Sequence, residues 1–390
     1  LGTACYGLIQ GMNVHKQEVI LVVPKLWGDE ELVADFVNAS GVTVDYRERR
    51  FKKLWKNLTY LEVNSYLVPY LGPKAFKKFT DYAIHDRTDV DESIFSTNYQ
   101  FSGKYGKNLM EEVSRYALVG AQIARDRSDF DIIHAHDWLA YPAGIAAKEI
   151  SGKPLVVHVH ATEYDRSGES VNFPVFEIER AGMHAADHVV AVSQLTKNIC
   201  VRKYGIPPEK VTVLHNAVLD ASIITSSYQK KVPEKIVTFL GRITYQKGPE
   251  YFVEAAKKVI ERDPKVRFVM AGSGDLLNKM VDRVAELRMG TKFHFTGFLK
   301  GDDVDHMYAI SDVYVMPSVS EPFGIAPLEA VRHNTPVIIS KQSGVAEVLN
   351  NAIKIDFWDV DAMADAIFGL LHYPSIARMF NELGADELKK

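Results

Sequence analysis

Cysteine and long apolar runs are the scarcest features of this sequence. Its only two cysteines, Cys5 and Cys200, cannot build a disulfide scaffold, and this usage favours a reducing, cytoplasmic compartment. No stretch reaches the ~18 consecutive apolar residues that a membrane-spanning helix needs, and nothing at the first residues is typical of a signal peptide. We therefore expect a cytoplasmic protein without integral membrane association.

A strong charge imbalance is also missing. The formal net charge is -4, charged residues make up 25% of the chain, and no block of basic residues occurs. Proteins that bind nucleic acids usually carry a concentrated basic surface, so we expect no nucleic acid as the main partner. A local basic site for a small anion stays open. The sequence also has no internal repeat and no low-complexity tract.

What the sequence does contain is an ordinary globular composition, with 47% hydrophobic residues among 390. This length exceeds what one core usually serves, so we expect two domains. Short β-branched runs alternate with amphipathic stretches, which is typical of an α/β fold with parallel sheets. The strands predicted in the first half are residues 18–23, 131–136, 155–160, 188–192 and 211–214, with helices at 138–150, 175–185 and 193–203. The strands predicted in the second half are residues 236–240, 266–271, 293–296, 313–316, 337–339 and 352–355.

A polar segment at residues 216–234 interrupts this alternation and reads as an interdomain linker. It separates a first domain, residues 1–218, from a second domain, residues 235–390. Both are predicted to be Rossmann-like and doubly wound, and to face each other across a cleft at the carboxyl ends of their strands, where ligands bind in such folds. Residues 70–110 fit the alternation poorly and are interpreted as an insertion at the cleft rim.

The loop after the strand at 236–240 carries two cations between two glycines. Gly241 lets a ligand approach the backbone, and Gly248 eases the turn into a helix that begins near Pro249. Arg242 and Lys247 would then stabilise the negative charge of a phosphate leaving group. The alternative is that both are merely solvated loop cations. The next strand ends in Gly272-Ser273-Gly274, a weaker signal that a tight turn also explains.

The strongest constellation lies at residues 317–330, where a strand leads through Glu321-Pro322-Phe323-Gly324 into a helix that begins around Ile325. The first N–H groups of that helix would form an anion site near Gly324 and Ile325. Glu321 would face a sugar, and Glu329, within the helix, a nucleoside ribose, because a carboxylate accepts several hydroxyl hydrogen bonds. The alternative places Glu321 in an ordinary loop and Glu329 on the helix surface.

Two His-x-His pairs lie at the ends of predicted strands in the first half. Alternation places His134 with His136 on one face and His158 with His160 on another. We expect His134 and His158 to be buried core residues, and His136 and His160 to reach the cleft. A metal site is the less favoured interpretation. Asp137 has an alternative role as the N-cap of the following helix.

Asp-x-Asp, a metal–phosphate signal in other transferases, occurs at residues 89–91, 303–305 and 359–361. The last two precede amphipathic helices and are interpreted as caps and first-turn acids. The first lies in the expected insertion. Because Arg242 and Lys247 supply positive charge, we expect no metal requirement and no cofactor.

These segments resemble the glycosyltransferases of the glycogen and starch synthase type and their broader relatives, families 4 and 5. The resemblance rests on the Arg242–Lys247 loop and on the acids Glu321 and Glu329. His134-Ala135-His136-Asp137-Trp138 and Leu1-Gly2-Thr3-Ala4 look especially like bacterial glycogen synthases. The resemblance covers nearly the whole chain and implies the GT-B fold. Relative to that pattern, the first strand, most of a glycine-rich loop and a crossing C-terminal helix are expected to be missing.

The resemblance also implies roles for individual residues. Arg242 and Lys247 would hold the diphosphate, and His160 would lie beside the anomeric carbon. The donor-binding set would be Gly2, Gly241, Gly272, Gly274, Glu321, Phe323, Gly324, Ile325 and Glu329. The acceptor side would be lined by His136, Asp137 and Glu163. The implied reaction retains the anomeric configuration, with the leaving phosphate itself deprotonating the acceptor hydroxyl.

The expected substrates are ADP-glucose or UDP-glucose and a glycan, with transfer of glucose to an α-1,4-glucan as the leading hypothesis. Other acceptors, such as a small sugar or a lipid-linked sugar, stay open. A nucleotide-sugar 2-epimerase and a glucan-binding protein without catalysis are alternatives on the same fold. A metal-dependent hydrolase built on the histidine pairs is the least favoured.

Overall fold

The computed structural model describes residues 2–28, 30–31, 33–45, 96–102, 109–218 and 230–389. The chain divides into two compact units. The first comprises Leu1–Val159, Asn172–Val190 and Tyr204–Thr212, and the second comprises His160–Val171, Ala191–Lys203 and Val213–Lys390. Two segments from the first half of the sequence therefore pack with the second half.

The first unit begins with small elements. They are α1 (Gly2–Val14), β1 (Ile20–Val23), β2 (Asp35–Asn38), a 3₁₀ turn (Ala39–Gly41), β3 (Thr43–Asp45), β4 (Ser96–Asn98) and α2 (Leu109–Asp126). Strands β1 and β2 pair in parallel, whereas β3 and β4 pair antiparallel. Helix α2 buries small residues on one face, including Ala117 and Ala121, which allows close packing.

A four-stranded sheet follows. Its elements are β5 (Ile133–His136), α3 (Tyr141–Ser151), β6 (Leu155–Val159), α4 (Glu163–Ser167), α5 (Phe173–Ala185), β7 (His188–Ala191), α6 (Gln194–Tyr204), a 3₁₀ turn (Pro208–Lys210) and β8 (Val211–Val213). The strand order is β5-β6-β7-β8, and β5 pairs with β6 in parallel, with His136 opposite His158. The buried residues of β6 are Leu155, Val157 and Val159, which are apolar, and His158.

The second unit is built on a six-stranded sheet. Its elements are β9 (Lys235–Leu240), a 3₁₀ turn (Tyr245–Lys247), α7 (Pro249–Arg262), β10 (Val266–Ala271), α8 (Leu277–Glu286), β11 (Phe293–Gly297), α9 (Asp302–Ile310), β12 (Val313–Met316), α10 (Ala326–Arg332), β13 (Val337–Ser340), a 3₁₀ turn (Gly344–Glu347), β14 (Ile353–Ile355), α11 (Val360–His372) and α12 (Pro374–Leu388). The strand order is β11-β10-β9-β12-β13-β14, and all five pairs of neighbouring strands are parallel.

This order makes the sheet doubly wound. Its first three strands run outward in one direction from β9, and the next three run outward in the other direction from β12. Continuous apolar strands such as β12 (Val-Tyr-Val-Met, fully buried) are what a parallel sheet covered on both faces requires. Aromatic rings of Phe239, Phe252, Phe268 and Phe293 form the centre of the core beneath α7.

The eleven strands predicted from the sequence are all present in the described part, with ends that differ by one or two residues. The helices at 138–150, 175–185 and 193–203 are also confirmed. Most of the expected insertion at 70–110, apart from residues 96–102 and 109–110, and most of the polar linker lie outside the described residues. None of the helices in the described part of the chain is both long and apolar enough to cross a membrane.

Candidate functional site

The candidate donor site lies at the point where the strand order of the second unit reverses. Strands β9 and β12 are neighbours, and the connections from them leave the sheet in opposite directions. In doubly wound sheets this switch point opens a crevice outside the carboxyl ends of the strands. Arg242 and Lys247 follow β9, and Glu321 and Gly324 follow β12, so the structure brings the two predicted groups together.

Lys247 and Glu321 meet directly. The Lys247 Nζ forms an ion pair with Oε2 of Glu321, and both side chains are largely buried, with 21% and 8% of their surface exposed. The hydroxyl of Ser318 donates a hydrogen bond to the same oxygen at 3.1 Å. Among the described side chains, no donor is bound to Oε1 of Glu321. This oxygen therefore stays available to accept a hydrogen bond from a sugar hydroxyl.

The two loops are also tied together through their backbones. Val319 N donates to Gln246 O at 2.9 Å, and the Arg242 guanidinium donates to the buried Gln246 side chain at 3.2 Å. Gly248 has φ 62°, and a Cβ there would lie 2.1 Å from Pro317 O. Only glycine allows this turn and this approach, so the cationic loop sits directly against the start of the acidic loop.

The loop after β10 packs closely against the loop after β9. A Cβ at Gly272, where φ is 145°, would lie 1.8 Å from the carbonyl oxygen of Gly241, and a Cβ at Gly274 would lie 2.2 Å from that of Ile243. Ile243 N donates to Ser273 O at 2.9 Å. The glycines at 272 and 274 are thus needed for close packing of two loops, which positions the Arg242 backbone.

The segment that contains His160 belongs to this same unit. His160 follows β6, and the short helix α4 next to it packs on the 3₁₀ turn that carries Lys247. Thr162 and Asp165 form a capping box, in which Asp165 Oδ2 accepts hydrogen bonds from the Thr162 N–H and hydroxyl, both at 2.7 Å. Asp165 Oδ1 accepts from the Ser320 hydroxyl at 2.6 Å. The turn after His160 is thereby fixed to the loop that carries Glu321.

Helix α10 begins at Ala326 with Ile325 as its N-cap, as the sequence predicts. No described side chain caps it. Pro327 has no N–H and the Leu328 N–H donates to Ile325 O at 2.9 Å, which leaves the N–H groups of Ile325 and Ala326 without a described acceptor. The Phe323 ring is buried in the core under this loop. Glu329 accepts a hydrogen bond from the Tyr308 hydroxyl at 3.2 Å, and burial raises the pKa of its carboxyl above the ordinary value.

Three histidines cluster in the first unit, which corrects one expectation. The rings of His134, His136 and His158 lie with centroids 4.3 to 5.4 Å apart. The sequence predicted His158 on a different face from the first pair, but His136 pairs with His158 across parallel neighbouring strands, and paired residues point to the same face. Burial is the main cause that lowers the pKa of His136 to about 2 and of His158 to about 3, so the cluster is neutral.

The three histidines could hold a metal ion by their spacing, because one nitrogen from each ring lies within 4.8 Å of the others. The three neutral imidazoles are chemically suited to a transition metal, yet they lie in the unit that does not contain Arg242, Lys247 or Glu321. Two of the three Asp-x-Asp signals are structural, and the third, at residues 89–91, lies outside the described residues. Asp302, Asp303 and Asp305 lie in the first turn of α9, and Asp359 caps α11 by accepting from Ala362 N at 2.9 Å.

Asp137 is not the cap of the next helix, as its alternative interpretation suggested. Helix α3 begins at Tyr141, and its N-cap is Ala140. Asp137 instead has φ 59°, a left-handed conformation that is uncommon for a residue other than glycine and is often found at functional positions. Its N–H donates to His158 O at 3.0 Å, which holds this turn at the carboxyl end of β5 beside His136.

The remaining predicted residues have simpler surroundings. Gly2 is exposed at the start of α1. Glu163 is buried and accepts hydrogen bonds from the Arg166 side chain at 3.0 Å and from the Ser167 hydroxyl at 2.5 Å. Sequence reasoning missed Asp165, Ser318, Ser320 and Tyr308. The Thr-x-x-Asp spacing at residues 162–165 is a capping-box signal that could have drawn attention to Asp165.

The chain is similar to glycosyltransferases over most of its length. Residues 103–220 match the model "Glycosyltransferase Family 4", and residues 221–386 match "Glycosyl transferases group 1". The crystal structure of TarM superposes with a TM-score of 0.70 at 12% identity, covering 99% of this chain and 92% of that one. Fold and site together define a glycosyltransferase of GT-B type, with two Rossmann-like domains.

The chain therefore carries a family 4 glycosyltransferase domain followed by a group 1 glycosyltransferase domain. An uncharacterized glycosyltransferase, MJ1607 of Methanocaldococcus jannaschii, is 34% identical over 238 residues, covering 57% of this chain and 61% of the relative. The glycogen synthase of Mycobacterium tuberculosis is 26% identical over 256 residues, covering 64% and 62%. The chain thus spans about three fifths of the length of these relatives.

Proposed function

We propose that the protein is a retaining glycosyltransferase that transfers a hexose from a nucleotide-diphosphate sugar to a glycan, without a metal or cofactor. The observation that carries this proposal is the contact between Lys247 and Glu321 at the switch point, with Arg242 on the same loop. A cation paired with a carboxylate at the carboxyl end of β9 offers one group for a phosphate and one for sugar hydroxyls.

Lys247 is suited to both tasks at once. Its ammonium has three N–H donors, so it can keep Glu321 in place and still donate to a phosphate oxygen. As the bond between the sugar and the diphosphate breaks, negative charge grows on the leaving oxygen, and the fixed cations of Lys247 and Arg242 stabilise it. The first N–H groups of α10, near Gly324 and Ile325, would add donors on the phosphate side.

His160 and the leaving phosphate would complete the reaction. We assign His160, through its backbone carbonyl or ring, to the side of the anomeric carbon, since its turn is fixed to the Glu321 loop by Asp165 and Ser320. The leaving phosphate would deprotonate the acceptor hydroxyl on the same face of the sugar. Such a reaction depends on orientation rather than on a side-chain nucleophile. His136, Asp137 and Glu163 are assigned to the acceptor side.

Glucose and an α-1,4-glucan are our leading choice of sugar and acceptor, supported by the similarity to glycogen synthase. Curated relatives matched at 21% to 28% identity carry several different transferase names, so a small sugar or a lipid-linked acceptor is the second candidate. A cytoplasmic location is proposed from the scarcity of cysteine, since the chain has only Cys5 and Cys200.

The stereochemistry of the product tests the proposed reaction. The full chain would be incubated in EDTA with UDP-glucose or ADP-glucose and a maltooligosaccharide, and the anomeric proton of the product followed by NMR. Retention predicts a new α-linked sugar from an α-linked donor. A β-linked product, or activity that EDTA abolishes and added metal restores, would contradict the proposal. Sugar epimerisation without an acceptor would favour an epimerase.

A further inference from the structure

The environment of Glu329 contains a buried hydroxyl that the proposed chemistry has not used. Tyr308 on α9 is fully buried, and its hydroxyl donates to Oε2 of Glu329 on α10 at 3.2 Å. Its backbone is held as well, because Tyr308 O accepts a hydrogen bond from the Thr335 hydroxyl at 2.8 Å. The ring stacks on His333 with centroids 5.9 Å apart. Tyr308 is therefore a rigid donor.

The charges around Glu329 explain why such a donor matters. Burial is the main cause that raises the pKa of Glu329, and the neighbouring Asp305 carboxylate adds to it. Arg332, one turn along the same helix, acts in the opposite direction, as does the hydrogen bond from Tyr308. Burial raises the pKa of Tyr314 on β12, and the charges of Glu321 and Glu329 add to this effect. A carboxylate in this setting needs a fixed donor to remain ionised and in one orientation.

We propose that Tyr308 is a positioning residue for the nucleotide: it holds Oε2 of Glu329 so that Oε1 is presented to the ribose hydroxyls of a nucleoside diphosphate. This inference rests on the proposed function, in which Glu329 binds the ribose. Among the described side chains, no donor is bound to Oε1 of Glu329. Without the Tyr308 hydroxyl, the Glu329 side chain would lose its fixed rotamer and part of its acceptor strength.

The fold supplies a matched control in Tyr314. This residue is 1% exposed, its ring lies 5.6 Å from that of Tyr308, and its hydroxyl donates to Leu240 O, also at 3.2 Å. Tyr308→Phe and Tyr314→Phe therefore each remove one hydroxyl from the same core, and the hydrogen bond lost is 3.2 Å long in both cases. Only the first removes the contact with Glu329.

The test is a binding titration of the full chain with UDP and ADP, and with their 2′-deoxy and 3′-deoxy forms. In the wild type, at least one deoxy nucleotide should bind about tenfold or more weakly, because a buried carboxylate then lacks its partner. Tyr308→Phe should weaken binding of the natural nucleotide about threefold to tenfold and reduce the ribose discrimination by a similar factor. Tyr314→Phe should leave the discrimination unchanged.

A pH series separates positioning from simple loss of structure. The hydrogen bond from the Tyr308 hydroxyl stabilises the ionised Glu329, so its removal should raise the pKa of Glu329 further. As the pH is lowered, Tyr308→Phe should therefore begin to lose nucleotide binding at a higher pH than the wild type does. Equal effects of the two Phe variants, or unchanged discrimination in Tyr308→Phe, would overturn the positioning role alone. Wild-type protein that binds neither UDP nor ADP would overturn the proposed function with it.

Discussion

Replacing Lys247 by alanine is the substitution with the largest expected effect on catalysis. Lys247 is the described cation that contacts Glu321, and its ammonium is largely buried at the switch point of the second sheet. Removal of one preorganised donor to developing negative charge typically lowers turnover by about 10²- to 10³-fold. We therefore expect kcat for nucleotide-sugar cleavage to fall about a hundredfold or more in Lys247→Ala.

The same substitution has a second effect that must be measured separately. It leaves Glu321, whose side chain is 8% exposed, with the Ser318 hydroxyl as its remaining described side-chain donor. Breaking a buried ion pair by removing one partner typically costs about 3 to 5 kcal/mol, so the free energy of unfolding should fall by up to this amount. Adding Glu321→Gln to Lys247→Ala removes the uncompensated charge and should restore much of the stability without restoring turnover.

Steady-state kinetics with UDP-glucose and ADP-glucose, together with urea unfolding, would separate the two effects. The matched control is Lys258→Ala. Lys258 lies on α7 and forms an exposed ion pair with Asp361 of α11 at 2.6 Å, which this substitution breaks. That variant should leave both the midpoint of urea unfolding and turnover close to those of the wild type. Near-normal turnover of a folded Lys247→Ala protein would refute the assignment of Lys247 to the leaving phosphate.

Three further predictions concern the loops around this site. Ser320→Ala removes the hydroxyl that links to Asp165, and we expect kcat to fall about threefold to tenfold with little change in melting temperature, measured by kinetics and thermal unfolding. Gly272→Ala places a Cβ 1.8 Å from Gly241 O, so soluble yield and nucleotide binding should both be lost. Burial raises the native pKa of Asp165 above the ordinary aspartate value of 3.8. The native state then binds this proton more tightly, so stability should decline as pH rises from about 3.8 toward the raised pKa, and Asp165→Asn should flatten this decline in urea unfolding followed against pH.

The repeating pattern of the sequence made the doubly wound fold predictable. Apolar runs such as residues 313–316 must be covered on both faces, and a parallel sheet between helices does this. The positions of Arg242, Lys247 and Glu321 followed from the same rule, because loops at the carboxyl ends of strands meet at one edge of the sheet. The strand order that makes β9 and β12 neighbours is a property of the folded chain.

Contacts between distant segments account for what sequence reasoning missed. Ser320 and Asp165 are far apart in the chain, and neither lies in a recognisable motif with the other. The histidine cluster depends on the register of β5 against β6, which alternation within one strand cannot reveal. Asp137 forms a left-handed turn and not a helix cap, its alternative interpretation, because α3 begins four residues later, at Tyr141.

The most direct test of the central claim is release of nucleoside diphosphate from UDP-glucose and ADP-glucose in EDTA, with and without glycogen. The arrangement of Lys247, Arg242 and Glu321 predicts release that depends on the acceptor and persists in EDTA. It further predicts that Lys247→Ala abolishes this release whereas Lys258→Ala does not. Acceptor-independent hydrolysis that both variants retain, or no binding of either donor, would contradict the account.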